Sequence, residues 1–127
     1  MEECIFCRIT DNSPQEILFS NDFCLYTVLK DPEIEGAGLI VPRNHRETVF
    51  DLSEEEWNAT HQMLHTVKEY IDVRYHPDGY NIGWNCGAVG GQHIFHAHLH
   101  VIPRFRDEPM AGKGIRYLFK SQWNKRS

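Results

Sequence analysis

Histidines alternate with apolar residues over a short stretch in the last third of the chain, which continues into Val101-Ile102-Pro103. Successive side chains of an extended strand point to opposite faces, so the pattern predicts a strand with its histidines on one face. The histidines are His96, His98 and His100, and the residues expected on the buried face are Phe95, Ala97, Leu99 and Val101. Three imidazoles on one face contribute little to an apolar core, so this strand indicates a functional site.

Two kinds of chemistry use such a row of rings. Imidazole is a common zinc ligand, and it also acts as nucleophile, general acid and general base near neutral pH. A catalytic ion bound by all three rings is disfavoured. On a straight strand the outer two, His96 and His100, lie about 13 Å apart, whereas zinc–nitrogen bonds are about 2.1 Å long.

Size and charge restrict the possible partners. The length of 127 residues and the apolar fraction of 41% predict one globular domain over residues 1–127. A formal net charge of −5 gives no basis for binding nucleic acid, and it favours a small nucleotide as any phosphate-bearing substrate. No stretch approaches the roughly 20 apolar residues of a membrane span, and the acidic start Met1–Cys4 differs from a secretory signal. We therefore expect a cytoplasmic protein, in which the four cysteines form no disulfide framework.

One long helix and several short strands are predicted. Ser53-x-x-Glu56 is a capping box that starts the helix, and apolar-face residues follow at three- and four-residue steps. These residues are Trp57, Thr60, Leu64, Val67 and Ile71, with His61 and His65 on or beside their face as structural or surface residues. Strands are predicted near residues 17–19, 23–29, 39–41, 80–84 and 96–103, with a short helix or turn at 4–9 and an irregular C-terminal arm from about 104. The class is α+β with an antiparallel sheet.

The histidine strand and the glycine-rich turn before it form a specific motif. Gly90-Gly91-Gln92 followed by His96-x-His98-x-His100-Val101-Ile102-Pro103 resembles the histidine-triad (HIT) family of nucleotide hydrolases and transferases. Further matching segments are Cys4–Cys7, Leu39–His45 and Asn85-x-Gly87. The resemblance implies a fold of about five antiparallel strands, one long helix and a short N-terminal helix, with the sheet extended across a homodimer.

The resemblance also implies a mechanism. Its members cleave a phosphoanhydride or phosphoramidate bond at the α-phosphate of a nucleotide, as in a diadenosine polyphosphate or an adenosine phosphoramidate. The middle histidine, here His98, attacks phosphorus and forms a nucleotidyl-histidine that water hydrolyses. A backbone carbonyl usually fixes the tautomer of that ring. His96 and His100 flank the nucleophile, where they can stabilise charge or move protons.

Uncharged donors around the turn are the expected phosphate ligands. Asn85, Gln92 and the amides of the turn at Gly91 can donate hydrogen bonds to phosphate oxygens. His93 occupies the position where many family members have a phosphate-contacting serine, and its imidazole can also donate. The expected substrate-binding residues are thus Asn85, Gly91, Gln92 and His93.

The spacing of Cys4-x-x-Cys7 is that of half a zinc site or of a redox pair, although the βαβ setting typical of the redox pair is missing. Some bacterial HIT proteins bind structural zinc through these two cysteines and two histidines. The resemblance therefore implies a structural zinc site made of Cys4, Cys7, His45 and His96, which would leave His96 a positioning role.

Two positions depart from the family pattern. Ala37 stands where a further histidine usually completes the catalytic group, which leaves a slower hydrolase or a nucleotide-binding protein with little turnover as alternatives. The acidic residue for the ribose is displaced, because Leu29 occupies its position and Asp31 follows two residues later. The basic residues of the C-terminal arm either reach a partner's site or form a solvated tail.

Overall fold

The computed structural model describes residues 4–10 and 12–126, so the acidic residues 1–3 lie outside the described part. Five antiparallel strands form one sheet in the order β1-β2-β3-β5-β4. The strands are β1 (Gln15–Ser20), β2 (Cys24–Leu29), β3 (Gly38–Pro42), β4 (Gly79–Trp84) and β5 (Leu99–Arg104). The helices are α1 (Glu54–Tyr75) and α2 (Tyr117–Lys120), with a 3₁₀ turn at Val49–Asp51. The predicted class, an antiparallel five-stranded sheet with one long helix, is confirmed.

Helix α1 begins where its capping box predicts. The Ser53 hydroxyl accepts from the amide of Glu56, and the Glu56 carboxylate accepts from the amide of Ser53. The helix ends at His76, whose φ of 51° lies in the left-handed region. The side chains that α1 buries are Glu56, Ala59, Thr60, Met63, Val67 and Ile71. Trp57, predicted on the buried face, lies at its border and is 47% exposed.

The core lies between α1 and one face of the sheet. The residues that pack there are Cys24, Tyr26, Ile40, Leu99 and Val101 from the strands, and Ala59, Met63, Val67 and Ile71 from α1. Cys24 is a fully buried small side chain. Side chains alternate along β5, so His100 and Ile102 point to the opposite face, where cavities adjoin them.

Close packing inside the sheet explains one glycine. Tyr26 is fully buried, and a Cβ placed on Gly38 would lie only 2.6 Å from its Cζ atom. Residue 38 therefore has no room for a side chain. Burial raises the pKa of Tyr26. Its hydroxyl has no hydrogen-bond partner within the described ranges.

Strand β5 is shorter than predicted. It begins at Leu99, so the expectation that His96 and His98 belong to a regular strand is wrong. The ladder with β3 ends at the pair Ile40–Leu99. Two positions further along β3 lies Pro42, which has no amide hydrogen to continue the ladder. The amide of Ala97 instead donates to the carbonyl of residue 46 at 2.6 Å.

Two smaller expectations also differ from the structure. Phe95, predicted to be buried, is 45% exposed because it precedes the strand, whereas Ala97, Leu99 and Val101 are buried as predicted. The N-terminal segment, predicted from its residues as a short helix or turn and from the resemblance as a short helix, is a single turn closed by one hydrogen bond from the Cys7 amide to the Cys4 carbonyl.

The C-terminal arm from Phe105 folds back along the sheet. The Arg104 guanidinium donates to the backbone carbonyls of Met110 (2.8 Å) and Lys113 (2.6 Å) and to the side chain of Asn81 on β4. These bonds anchor the arm beside β4, where α2 follows. Within the described ranges, no helix combines the length and the apolar character that crossing a bilayer requires.

Candidate active site

The His98 ring is held in one tautomer. Its Nδ1 lies 2.8 Å from the backbone oxygen of His96, and a carbonyl oxygen can only accept a hydrogen bond. Nδ1 therefore carries a proton and donates the hydrogen bond, so the lone pair of the neutral ring is on Nε2. This is the state that an attacking imidazole requires, because a protonated ring has no free lone pair.

Two rings fix the orientation of His98. Phe6 contacts it with ring centroids 5.2 Å apart, and His100 lies on another side with centroids 5.0 Å apart. Phe6 is only 3% exposed and also contacts His96 edge-on. The sequence did not single out Phe6, because nothing in the spacing of the cysteines distinguishes it from its neighbour Ile5, which is 40% exposed.

His100 lies on the open face of the sheet, paired with Leu39 of β3 and Gly83 of β4. Burial, with a smaller contribution from His98, lowers the pKa of His100 below its ordinary value, so the ring is neutral at pH 7. Its Nε2 is buried and makes no hydrogen bond within the described part of the chain. A buried ring nitrogen without a partner is costly, so a ligand that contacts it would be stabilised by the hydrogen bond that it supplies.

Two cavities flank His100 and Ile102. One cavity, of about 380 Å³, extends towards β2 and is lined mainly by apolar groups. Its lining residues include Leu29, Ala37 and the acidic Asp31. The other, of about 440 Å³, lies over β4. Its lining residues include Asn81, Trp84, Asn85 and, from the C-terminal arm, Ile115 and Leu118. His100 therefore sits between two mainly apolar cavities, which can take the two ends of a ligand.

The glycine-rich turn requires its glycines. Gly87 and Gly91 have φ of 76° and 99°, in the left-handed region where side chains are strained. At Gly90 a Cβ would lie 2.5 Å from the carbonyl oxygen of Cys86. The Asn85 side chain bends back over the turn, with its Nδ2 3.5 Å from the Gly91 oxygen. Asn85 lies at the edge of the second cavity, whereas the backbone amides of residues 87 and 90–92 in the turn hydrogen-bond within the protein.

Gln92 links this turn to its surroundings from inside the protein. It is 1% exposed, and its Oε1 accepts from the Gly87 amide at 2.9 Å. Its Nε2 donates to the carbonyls of Glu47 (2.7 Å) and Ile94 (3.0 Å). Both hydrogens of the amide group are thus used within the protein, and neither is free for a phosphate. The structure gives Gln92 the geometry of a residue that positions the turn.

The start of α1 supports the other side of the site. The Glu56 carboxylate is 2% exposed and accepts from the Arg46 Nε at 2.9 Å. The Arg46 carbonyl in turn accepts from the amide of Ala97, which lies between the first two histidines. The helix cap therefore fixes the loop that holds residues 96–98 in place.

Cys4, Cys7, His45 and His96 come together in one cluster. Their ligand atoms all lie within 4.8 Å of one another. Both Cys7 Sγ and His96 Nδ1 lie 3.2 Å from His45 Nδ1, and each sulfur lies 3.4 Å from His96 Nδ1. Ligands around a tetrahedral zinc ion are about 3.4–3.8 Å apart, so this donor set fits such an ion with small adjustments.

The environment of His96 also suits a metal ligand. Its Nε2 lies 2.8 Å from the Pro42 carbonyl and donates to it, so the Nδ1 lone pair faces the two sulfurs and His45. The ring is fully buried, and burial lowers its pKa. Burial raises the pKa of the Cys7 thiol. The four residues can therefore hold a metal ion, and the predicted ligands lie together.

His93 lies apart from the two cavities at His100. Its side chain is exposed and lines a separate shallow cavity with Cys4, Ile5, His45 and Phe95. Of the four expected substrate-binding residues, the structure thus brings Asn85 and Gly91 together. It buries Gln92 behind the turn and places His93 beside the cysteine cluster, the group formed by Cys4, Cys7, His45 and His96.

Comparison with known proteins identifies the family. Residues 10–107 match the HIT domain. An adenylylsulfatase of Arabidopsis thaliana is 33% identical over 103 residues, which cover 80% of this chain and 52% of that protein. An adenosine 5'-monophosphoramidase of Schizosaccharomyces pombe is 29% identical over 112 residues, covering 87% of this chain and 81% of that one.

Solved structures show the same fold. A HIT family protein of Bacillus anthracis superposes with a TM-score of 0.79 at 27% identity, covering 99% of this chain and 87% of that one. A zinc-bound histidine triad family protein of Mycobacterium smegmatis gives a TM-score of 0.75 at 25% identity, covering 89% of this chain and 83% of that one. The domain match spans more than three quarters of the sequence, and this chain belongs to the HIT domain family.

Proposed function

We propose that this protein is a nucleotide phosphohydrolase in which His98 attacks the α-phosphorus. The observation that carries the proposal is the hydrogen bond from His98 Nδ1 to the carbonyl of residue 96, because it places the lone pair of the neutral ring on Nε2. Two HIT relatives are named as an adenylylsulfatase and an adenosine 5'-monophosphoramidase, names that both point to adenylyl groups.

The reaction has two displacements. The Nε2 lone pair of His98 forms a phosphorus–nitrogen bond while the bond from phosphorus to the leaving group breaks, and the leaving group departs with its electron pair and takes up a proton. Water then forms a phosphorus–oxygen bond, gives up a proton, and displaces His98, whose ring regains its lone pair. Asn85 donates to a phosphoryl oxygen, and His100 Nε2 hydrogen-bonds to the reacting groups.

The two cavities accommodate the two ends of the substrate. The apolar chamber of about 380 Å³ takes the nucleoside, with Asp31 as the carboxylate that accepts from the ribose hydroxyls. The chamber over β4 takes the leaving group. An adenosine phosphoramidate, an adenylyl sulfate and a diadenosine polyphosphate share an adenylyl α-phosphorus and differ only in that leaving group.

A structural zinc ion is proposed at Cys4, Cys7, His45 and His96, because the donor set and the tautomer of His96 fit it. The ion supplies folding energy and takes no part in the reaction. It fixes the turn that carries Phe6, which contacts the His98 ring. His96 then positions the nucleophile through its carbonyl rather than by proton transfer.

The proposed assembly is a cytoplasmic homodimer. Strand β4 is an edge of the five-stranded sheet, so its outer backbone groups can pair with the same strand of a second copy. None of the four cysteines, Cys4, Cys7, Cys24 and Cys86, forms a disulfide within the described residues, which suits a reducing compartment.

The test measures product release from an adenosine phosphoramidate and from a diadenosine polyphosphate. Three zinc-loaded proteins are compared, namely wild type, His98→Gln and His76→Asn. We expect His98→Gln to lose about 10³-fold or more in rate, because no other group takes its place as nucleophile. The control His76→Asn replaces an exposed histidine at a left-handed position and should keep the wild-type rate. Equal rates for wild type and His98→Gln would refute the mechanism.

A nucleotide-binding protein with little turnover is the second candidate. It is favoured by Ala37, a methyl side chain that lines the same cavity as His100 and can neither donate nor accept a proton. The same experiment separates the two candidates, since a binding protein holds nucleotide but releases no product even as wild type.

A further inference from the structure

Two exposed histidines lie one turn apart in the middle of α1. His61 and His65 occupy positions i and i+4, so their side chains project from the same side of the helix. Their Nε2 atoms are 3.3 Å apart, and the ring planes meet at 89° with centroids 4.8 Å apart. Neither residue belongs to the cavities beside His100 or to the cysteine cluster.

The spacing of these nitrogens fits one metal ion. Two imidazole nitrogens bound to a tetrahedral zinc ion at about 2.1 Å lie about 3.4 Å apart, close to the measured 3.3 Å. In the metal-free protein one ring must donate its N–H to the other at this distance. An ion bound between the rings replaces that single proton and uses both lone pairs.

The surroundings favour a cation and provide a rigid support. Both rings stand on a 22-residue helix that is capped at its start. The nearby Lys68 ammonium lies 2.6 Å from the Asp72 carboxylate, so its charge is compensated. Glu69 follows His65 by one turn and adds a negative charge on this side.

We propose that His61 and His65 form a second metal site, a two-histidine clamp for Zn²⁺ or a similar divalent ion. Within the described ranges no third histidine, cysteine or acidic side chain joins them, because the only cluster of three or more possible ligands is the cysteine one. The ion therefore keeps open positions for water or an external ligand, and it binds more weakly than at a closed four-ligand site. The proposal does not rest on the proposed hydrolase activity.

Equilibrium dialysis against increasing free Zn²⁺ tests the clamp. The wild-type protein, already loaded at the cysteine cluster, should take up a second, weaker equivalent. In His61→Gln and in His65→Gln the half-saturating zinc concentration should rise about tenfold or more, because a single imidazole loses the effective concentration that its partner supplies. Both substitutions are at exposed positions, and an unchanged circular dichroism spectrum shows that α1 is intact.

Two further variants serve as controls. His76→Asn removes an exposed histidine outside the clamp and should retain both equivalents. Cys7→Ser should lose the tight equivalent and retain the weak one, which separates the clamp from the cluster. A wild-type protein that binds no second equivalent would overturn the proposal. So would a second equivalent that His61→Gln and His65→Gln both bind as tightly as wild type does.

Discussion

Substitution of Gln92 tests whether this residue positions the phosphate-binding turn or donates to phosphate itself. Gln92→Met keeps nearly the same shape but removes the hydrogen bonds to Gly87, Glu47 and Ile94. The substitution leaves one backbone amide and two backbone carbonyls without their partner. The site is closed to water, because the Gln92 side chain is only 1% exposed. An unsatisfied buried group costs about 1–3 kcal/mol, so three predict a loss of roughly 3–5 kcal/mol even if water partly compensates.

Gln92→Glu separates the two donor bonds from the acceptor bond. A carboxylate still accepts from the Gly87 amide, but it cannot donate to the two carbonyls and repels both. We therefore expect destabilisation at pH 7 that diminishes as the pH falls and the carboxyl gains a proton. Gln62→Met, at an exposed glutamine of α1, is the matched control and should stay within about 0.5 kcal/mol of wild type.

The assays are urea unfolding and steady-state hydrolysis on the same zinc-loaded samples. A positioning role predicts that Gln92→Met loses stability and, because the turn shifts, also loses kcat/KM. The reasoning is refuted if the variant loses less than about 1 kcal/mol while KM rises sharply, since that pattern belongs to a direct phosphate donor.

Three further predictions follow from buried groups. Gly38→Ala should cost roughly 1–3 kcal/mol in urea unfolding because its Cβ would meet Tyr26, and Tyr26→Phe in the same chain should recover part of that loss. Cys7→Ser should lose the tight zinc in elemental analysis, together with the roughly 4 kcal/mol that zinc supplies at about 1,000 times its Kd. The pKa of His100 is lowered in the folded protein, so its contribution to stability is complete above about pH 6.5 and is lost as the pH falls below that value. His100→Gln should therefore flatten the acid side of a plot of unfolding midpoint against pH, and an unchanged slope would contradict this assignment.

Local signals predict most of the fold. The capping box places the start of α1 correctly at Ser53, because both of its hydrogen bonds depend on residues three positions apart. The apolar stripe of the helix and the alternation of buried residues in β5 follow from periods of 3.6 and 2. The four possible metal ligands also lie together as the family resemblance implies.

What the sequence could not predict depends on contacts between distant segments. The start of β5 depends on Pro42, 57 residues before Leu99, because Pro42 has no amide hydrogen to extend the ladder beyond the pair Ile40–Leu99. Phe6 reaches His98 only because the cysteine turn folds onto the sheet. Gln92 stands in the expected motif, but its three partners include Glu47 in another loop, so its burial could not be inferred from spacing.

The most direct test of the account is to trap the covalent intermediate on the wild-type protein. The zinc-loaded protein is mixed briefly with a slow adenosine phosphoramidate analogue, denatured in alkali, which preserves phosphorus–nitrogen bonds to histidine, and digested. The account predicts one added nucleoside monophosphate, assigned by fragmentation to His98 rather than to His96 or His100, and no adduct in His98→Gln. Turnover with the adduct on another histidine, or with no adduct on the protein at any time, would contradict it.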